Sequence, residues 1–183
     1  YYLGFFLYVP VSQFLFTPIY TLTGGYTYYS PMLLGYMAND TQIDLHSGTS
    51  FDHLFVLRKY PSGTPLRNRI LLYHLEGLLH LIQLIEEKRI PESVNIVGTS
   101  YFFNDRTLLK LGFQIEKASL FYRINLLING IDLFWMYSLS QGKLAIPTLW
   151  DAKKASIQGN QLVQSKSKLH VLYQHLQAKQ AKL

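Results

Sequence analysis

Hydrophobic and polar positions alternate along this chain with periods that change from segment to segment. From Leu66 to Lys88 the residues Arg69, Tyr73, Glu76, His80, Gln83 and Glu87 recur at steps of four and three, and the other faces are dominated by Leu and Ile. That spacing predicts a long helix over 66–88, and a helix apolar over most of its circumference packs against more than one layer. In the run Thr41 to His46, Ile43 and Leu45 alternate with Gln42, Asp44 and His46, as a half-buried strand requires. With Met32 to Ala38 before it and Asn39-Asp40 as a tight polar turn, this predicts a β-hairpin near 32–46. Gly24-Gly25 and Ser30-Pro31 precede it as turn material, and Phe51 to Tyr60 suits helix or strand before the loop Pro61-Ser62-Gly63-Thr64-Pro65.

Further along, a β-branched strand is expected at 94–97 and a short helix at 105–111 that closes on Gly112 as the C′ residue. A strand at 113–116 follows. A helix over 120–139 carries Asn125, Asn129 and Asp132 as a polar stripe on an apolar, aromatic cylinder. The stripe suits either a solvent-exposed face or a helix beside a membrane, with Phe134, Trp135 and Tyr137 near the interface. From Asp151 a basic helix is expected, with Leu162, Leu169, Leu172 and Leu176 as its apolar positions. Strands alternating with helices make the fold class α/β, a mixed sheet packed by helices. At 183 residues one domain is expected, 1–150, followed by a basic helical tail, 151–183.

Composition narrows the chemistry. The absence of cysteine excludes disulfides, thiolate metal sites and a thiol nucleophile, and fits a cytoplasmic protein, peripheral to a membrane if associated with one. No metal site is expected among the six histidines, because His74 and His80 lack i, i+4 spacing and no His-Glu-x-x-His run occurs. The net charge of +6 is uneven: ten Lys/Arg balance ten Asp/Glu up to Gly142, and seven stand against Asp151 alone from Lys143 onward. Without arginine-rich clusters or an RNA-binding aromatic motif, nucleic acid is not the favoured partner. A solvated basic helix explains the tail, and an anionic lipid surface or an acidic protein is the functional alternative.

No side-chain charge occurs before Asp40, and aromatic residues crowd the opening segment 1–39. Residues 1–20 approach the roughly 20 residues of a spanning helix, but Pro10 and Pro18 interrupt them. The segment reads as buried core, interfacial anchor or span. The chain does not begin with Met, so a processed or trimmed start is expected.

One internal echo carries potential chemistry: Gly48-Thr49-Ser50-Phe51 and Gly98-Thr99-Ser100-Tyr101, each after an expected strand and before an expected helix. Each places a glycine-relieved turn and two hydroxyls at the carboxyl end of a strand, the edge at which open α/β sheets bind ligands. His46, Asp52, Asn104 and Asp105 flank the two copies. If the strands are neighbours, the hydroxyls and nearby N–H groups form one pocket for phosphate or carboxylate oxygens. Thr, Ser and Asp at these positions equally cap helices without any ligand. A serine nucleophile built from Ser50 with His46 or His53 and Asp52 is not supported, because close neighbours point apart and no Gly-x-Ser-x-Gly elbow occurs. No catalytic residue is assigned.

The element order from 52 to 118, ending in Lys110-Leu111-Gly112-Phe113, resembles the acyl-CoA-binding half of GNAT acyltransferases. The resemblance takes a strand to end at Tyr60, and it implies an acyl-CoA cofactor such as acetyl-CoA. The phosphates would meet Ser62, Gly63, Thr64, Arg67 and Arg69. The family's glycine-rich loop is reduced to Gly63, and Leu108 stands where a tyrosine often serves as general acid. An active acyltransferase or an inactive relative is implied. The alternative from composition is a non-enzymatic membrane-peripheral or complex-subunit protein that binds through its apolar N-terminus and basic tail.

Overall fold

A computed structural model describes residues 2–99, 105–149 and 152–181. The order is α1 (Tyr2–Leu22), β1 (Tyr26–Ser30), β2 (Leu33–Tyr36), β3 (Gln42–Ser47), α2 (Ser50–Val56), α3 (Thr64–Glu86), β4 (Asn95–Thr99), α4 (Asp105–Lys110), β5 (Gln114–Lys117), α5 (Leu120–Ile128), α6 (Gly130–Gln141), β6 (Lys153–Gln158), α7 (Gly159–Gln164) and α8 (Lys166–Gln180). The fold is α/β, with a six-stranded mixed sheet in the order β1-β2-β3-β4-β6-β5.

The expected hairpin is β2–β3, and its turn has a local cause. Asn39 Oδ1 accepts hydrogen bonds from the N–H groups of Thr41 and Gln42 and from the Thr41 hydroxyl, which fixes the chain reversal. β3 and β4 pair in parallel, Gln42 opposite Asn95 through Leu45 opposite Gly98, while the other ladders are antiparallel. The crossover between these parallel strands contains α3, whose Leu75, Leu81, Ile82 and Ile85 are sealed against Ile43, Ile96 and Ile157 of the sheet. Leu162 and Leu169 of α7 and α8 complete the same core. Alternation explains the sidedness: Ile43 and Leu45 face α3, so Gln42 and Asp44 face the opposite side.

Several expectations are corrected. The opening segment is helical through Pro10 and Pro18. Packing holds it there: Phe14 lies against Phe51 and Phe55 of α2, and Tyr20 against Tyr26 of β1. Turns stand at Gly24-Gly25 and at Pro31 as expected, and the tyrosine-rich stretch between them is a further strand, β1, to which no element was assigned. No strand ends at Tyr60; α2 and a turn fill that stretch, and the strand before α3 is β3. The helix expected over 120–139 is two helices meeting at Asn129-Gly130, where Asn129 Nδ2 donates to the Asn125 carbonyl. The tail is not wholly helical either. Its first element, β6, lies between β4 and β5, so residues 153–158 are integral to the sheet. Gly112, at φ +90°, is the expected C′ residue: its N–H bonds the Leu109 carbonyl and that of Phe113 bonds Leu108. Among the described residues no helix is long and apolar enough to cross a membrane.

Candidate functional site

The first Gly-Thr-Ser copy follows β3, whereas Gly98 and Thr99 of the second lie within the neighbouring parallel strand β4, at its carboxyl end. Neither glycine makes a left-handed turn. Each instead permits close approach. A Cβ on Gly48 would stand 2.7 Å from Met32 Cε, and one on Gly98 would stand 3.2 Å from the Leu45 carbonyl oxygen.

The first copy is turned into the protein. Thr49 precedes α2, and the Asp52 carboxylate accepts its backbone N–H at 2.7 Å and its hydroxyl at 2.9 Å. Tyr28 of β1 donates to both Asp52 oxygens, at 2.9 and 3.1 Å, and Thr17 of α1 donates to Thr49 Oγ1 at 3.3 Å. Ser50 donates to Asp132 of α6 at 3.5 Å, and Trp135 Nε1 donates to the other oxygen of that carboxylate at 3.0 Å. These groups form a polar seam between α1, α2 and α6, with Ser50, Asp52, His53 and Asp132 all buried. Capping is therefore the role of Thr49 and Asp52. Of the second copy, the backbone of Thr99 ends β4, while Ser100 and Asn104 lie outside the described residues. Asp105 opens α4 and pairs with Lys153.

Burial sets the electrostatics of the seam. It raises the Asp52 carboxyl above its ordinary range against the opposing Thr49 and Tyr28 hydrogen bonds, and it raises Asp132 against those of Trp135 and Ser50. The Tyr28 phenol is pushed up by burial and then by the Asp52 charge. His53, edge-on to Trp135, is lowered to about 4 by desolvation, and the buried His74 is lowered to about 4 for the same reason. Both imidazoles are neutral at physiological pH.

The polar stripe of the split helix is divided: Asn125 is exposed and Asn129 half-buried, while Asp132 is buried in the seam. Asn129 Oδ1 accepts from Gln13 Nε2 at 2.5 Å, and Asp132 takes the Ser50 contact.

A concave site lies on the sheet face opposite α3. A cavity of about 280 Å³ has Val97 and Gly98 as neighbours, Gln42 and Asp44 on the β3 side, and Glu116, Lys117 and Lys154 on the β5–β6 side, with Ser119 and Tyr122 completing it. His46 Nε2 is 3.7 Å from Asp44 Oδ1 on the same strand. Of the residues singled out in sequence, Gly98 reaches this cavity and His46 stands beside it. Asp44, Glu116, Lys154 and Tyr122 were missed as site residues. The period-two alternation through Asp44 was the available signal.

The start of α3 is covered. The Gly63 N–H donates to the Leu139 carbonyl of α6 at 2.8 Å, and a Cβ on Gly142 would stand 3.0 Å from Gly63 Cα. Ser62, Thr64 and Arg67 remain exposed, while the Arg69 guanidinium lies over the Tyr73 ring at 4.1 Å and the Tyr60 ring at 5.5 Å. Compared with protein-family models, with curated proteins and with solved structures, the chain matches none.

Proposed function

We propose that the chain is an acyltransferase of GNAT type, taking an acyl group from an acyl-CoA thioester and giving it to an amine acceptor. The observation that carries the reading is the β3–β4 pair: two parallel strands joined through α3. An extended carrier bearing amide groups, such as the pantetheine arm of CoA, can bind at the carboxyl end of such a pair by pairing with strand backbone. Support also comes from the single parallel pair in an otherwise antiparallel sheet, and from the short α4 that ends in Leu111-Gly112-Phe113.

The cavity beside Gly98 then takes the acceptor. Asp44 and His46 are the candidate bases: one removes a proton as the acceptor nitrogen attacks the thioester carbonyl, the C–N bond forms, the C–S bond breaks, and the departing CoA thiolate takes up a proton. Because the Gly63 N–H already serves Leu139, the phosphates would be met by the exposed Arg67, Ser62 and Thr64 rather than by a cradle of N–H groups. Leu108 is buried, so no proton donor is assigned to its position.

Thermal unfolding with millimolar acetyl-CoA tests the reading. A ligand at about 100 times its dissociation constant adds roughly 2.7 kcal/mol, a readily visible rise in Tm. Asp44→Asn is expected to keep that rise and to lower transfer to a small amine by roughly 10²-fold or more. Absence of any rise with acetyl-CoA and longer acyl-CoA esters counts decisively against it.

A further inference from the structure

We infer that the end of the molecule where α2 finishes, α3 starts and α6 finishes is a docking surface for an anionic lipid bilayer. The inference goes beyond the acyl-CoA reading and does not depend on it. Leu144 and Ile146, in the segment after α6, are 85% and 83% exposed. Leu54 and Phe55 on α2 are exposed as well, Phe55 at 55%. These two groups come to the same end because Gly142 abuts Gly63, only a few residues beyond α2. From Phe55 the apolar surface continues through its 6.3 Å ring contact with Phe14 onto α1, whose Val11, Leu15 and Ile19 are exposed at steps of four.

Charge selects the occupant. Across residues 1–39, 49–69 and 129–147 the acidic side chains are Asp52 and Asp132, and both are buried. Arg58, Lys59, Arg67 and Lys143 are exposed. Apolar side chains flanked by bases, with no exposed acid among them, match the acyl boundary and the anionic headgroups of a bilayer surface. A nucleic acid would leave Leu144, Ile146 and Phe55 in water, and a second copy docking by the same face would set like charges against each other. The basic C-terminal part contributes elsewhere. Lys153 pairs with Asp105, Lys166 with Glu86 at 2.7 Å, and Lys168 donates to the Lys110 carbonyl.

The test is flotation of the chain with phosphatidylcholine vesicles, with and without phosphatidylserine. The chain is expected to float with phosphatidylserine vesicles and to be released by salt. Reversing two bases with Arg58→Glu and Lys143→Glu is expected to weaken binding at least about tenfold, since each base near the surface contributes on that scale. Leu144→Ser with Ile146→Ser, both outside regular structure, is expected to abolish flotation with Tm unchanged. No flotation with either vesicle, or flotation indifferent to both double variants, overturns the inference. A dimer that forms in place of vesicle binding and is lost in Leu144→Ser with Ile146→Ser overturns it as well, assigning the face to a second copy. Failure here leaves the acetyl-CoA result untouched, because the two readouts are separate.

Discussion

The layer between α3 and the sheet and the seam between α1, α2 and α6 are both shut off from water, by opposite means. The first is made of aliphatic side chains such as Leu81, Ile82, Ile96 and Ile157 and needs no directional contact. The second buries two carboxylates, hydroxyls and an imidazole, each tied to a named partner. Apolar burial is stabilising in proportion to area and is nearly indifferent to pH, whereas a buried polar group stabilises only while its partners and its protonation state are right. The sheet layer therefore holds the fold together, and the seam makes its stability conditional.

The sharpest way to separate the two is to damage each. Leu81→Ala removes a fully buried side chain from the sheet layer and is expected to cost about 2–5 kcal/mol in denaturant unfolding, at every pH where the protein folds.

Acidification attacks the polar groups instead. The folded values of His53 and His74 lie near 4, below the ordinary 6.5, so their contribution is complete above 6.5 and is lost as pH falls toward 4. The expected loss is roughly 2–3 kcal/mol per histidine at the acid end. Asp52 and Asp132 act with the opposite sign. Their raised folded values favour the native state once pH falls below those values, which offsets part of the loss. Unfolding free energies of the parent and of His74→Gln at pH 7 and pH 4.5 should show the parent falling further; equal falls would mean that His74 does not titrate with unfolding.

Asp52→Ala leaves the Tyr28 hydroxyl and the Thr49 N–H without their carboxylate and is expected to cost about 1–3 kcal/mol. A larger cost at pH 4 than at pH 7 would sharpen the contrast, because the protonated carboxyl is the form that burial favours and only the parent gains from it as pH falls. At the small end, Glu86→Gln removes the half-exposed pair with Lys166 and is expected to change stability by less than about 1 kcal/mol, vanishing in high salt.

The sheet layer was the more legible of the two in sequence, because periodicity reports burial directly. The steps along Leu66 to Lys88 and the alternation through Ile43 and Leu45 led to α3 and β3 within a few residues. β6 escaped because Lys153 and Lys154 gave a core strand the look of a solvated helix, and β1 because its tyrosines sat between two turn signals. The break at Asn129 is a local event inside an unbroken apolar pattern. The seam was illegible for a different reason. Asp52 meets Tyr28 and Ser50 meets Asp132 across 24 and 82 positions, and no local pattern encodes such partners. The repeated Gly-Thr-Ser did mark the edge shared by β3 and β4, but spacing gave no indication that the first copy turns inward. Asp44 was read as half of an alternation, and its neighbourhood with Glu116 and Lys154 exists only once β6 enters the sheet.

That late entry governs how the protein is made. β4 leaves the ribosome with β3 available on one side, but its other neighbour, β6, is synthesised more than fifty residues later, and β5 has no ladder partner until then. A nascent chain halted before residue 153 carries an open strand edge at β4, the kind of surface that recruits foreign strands. Translation at 5–20 residues per second leaves that edge uncovered for several seconds in each round of synthesis.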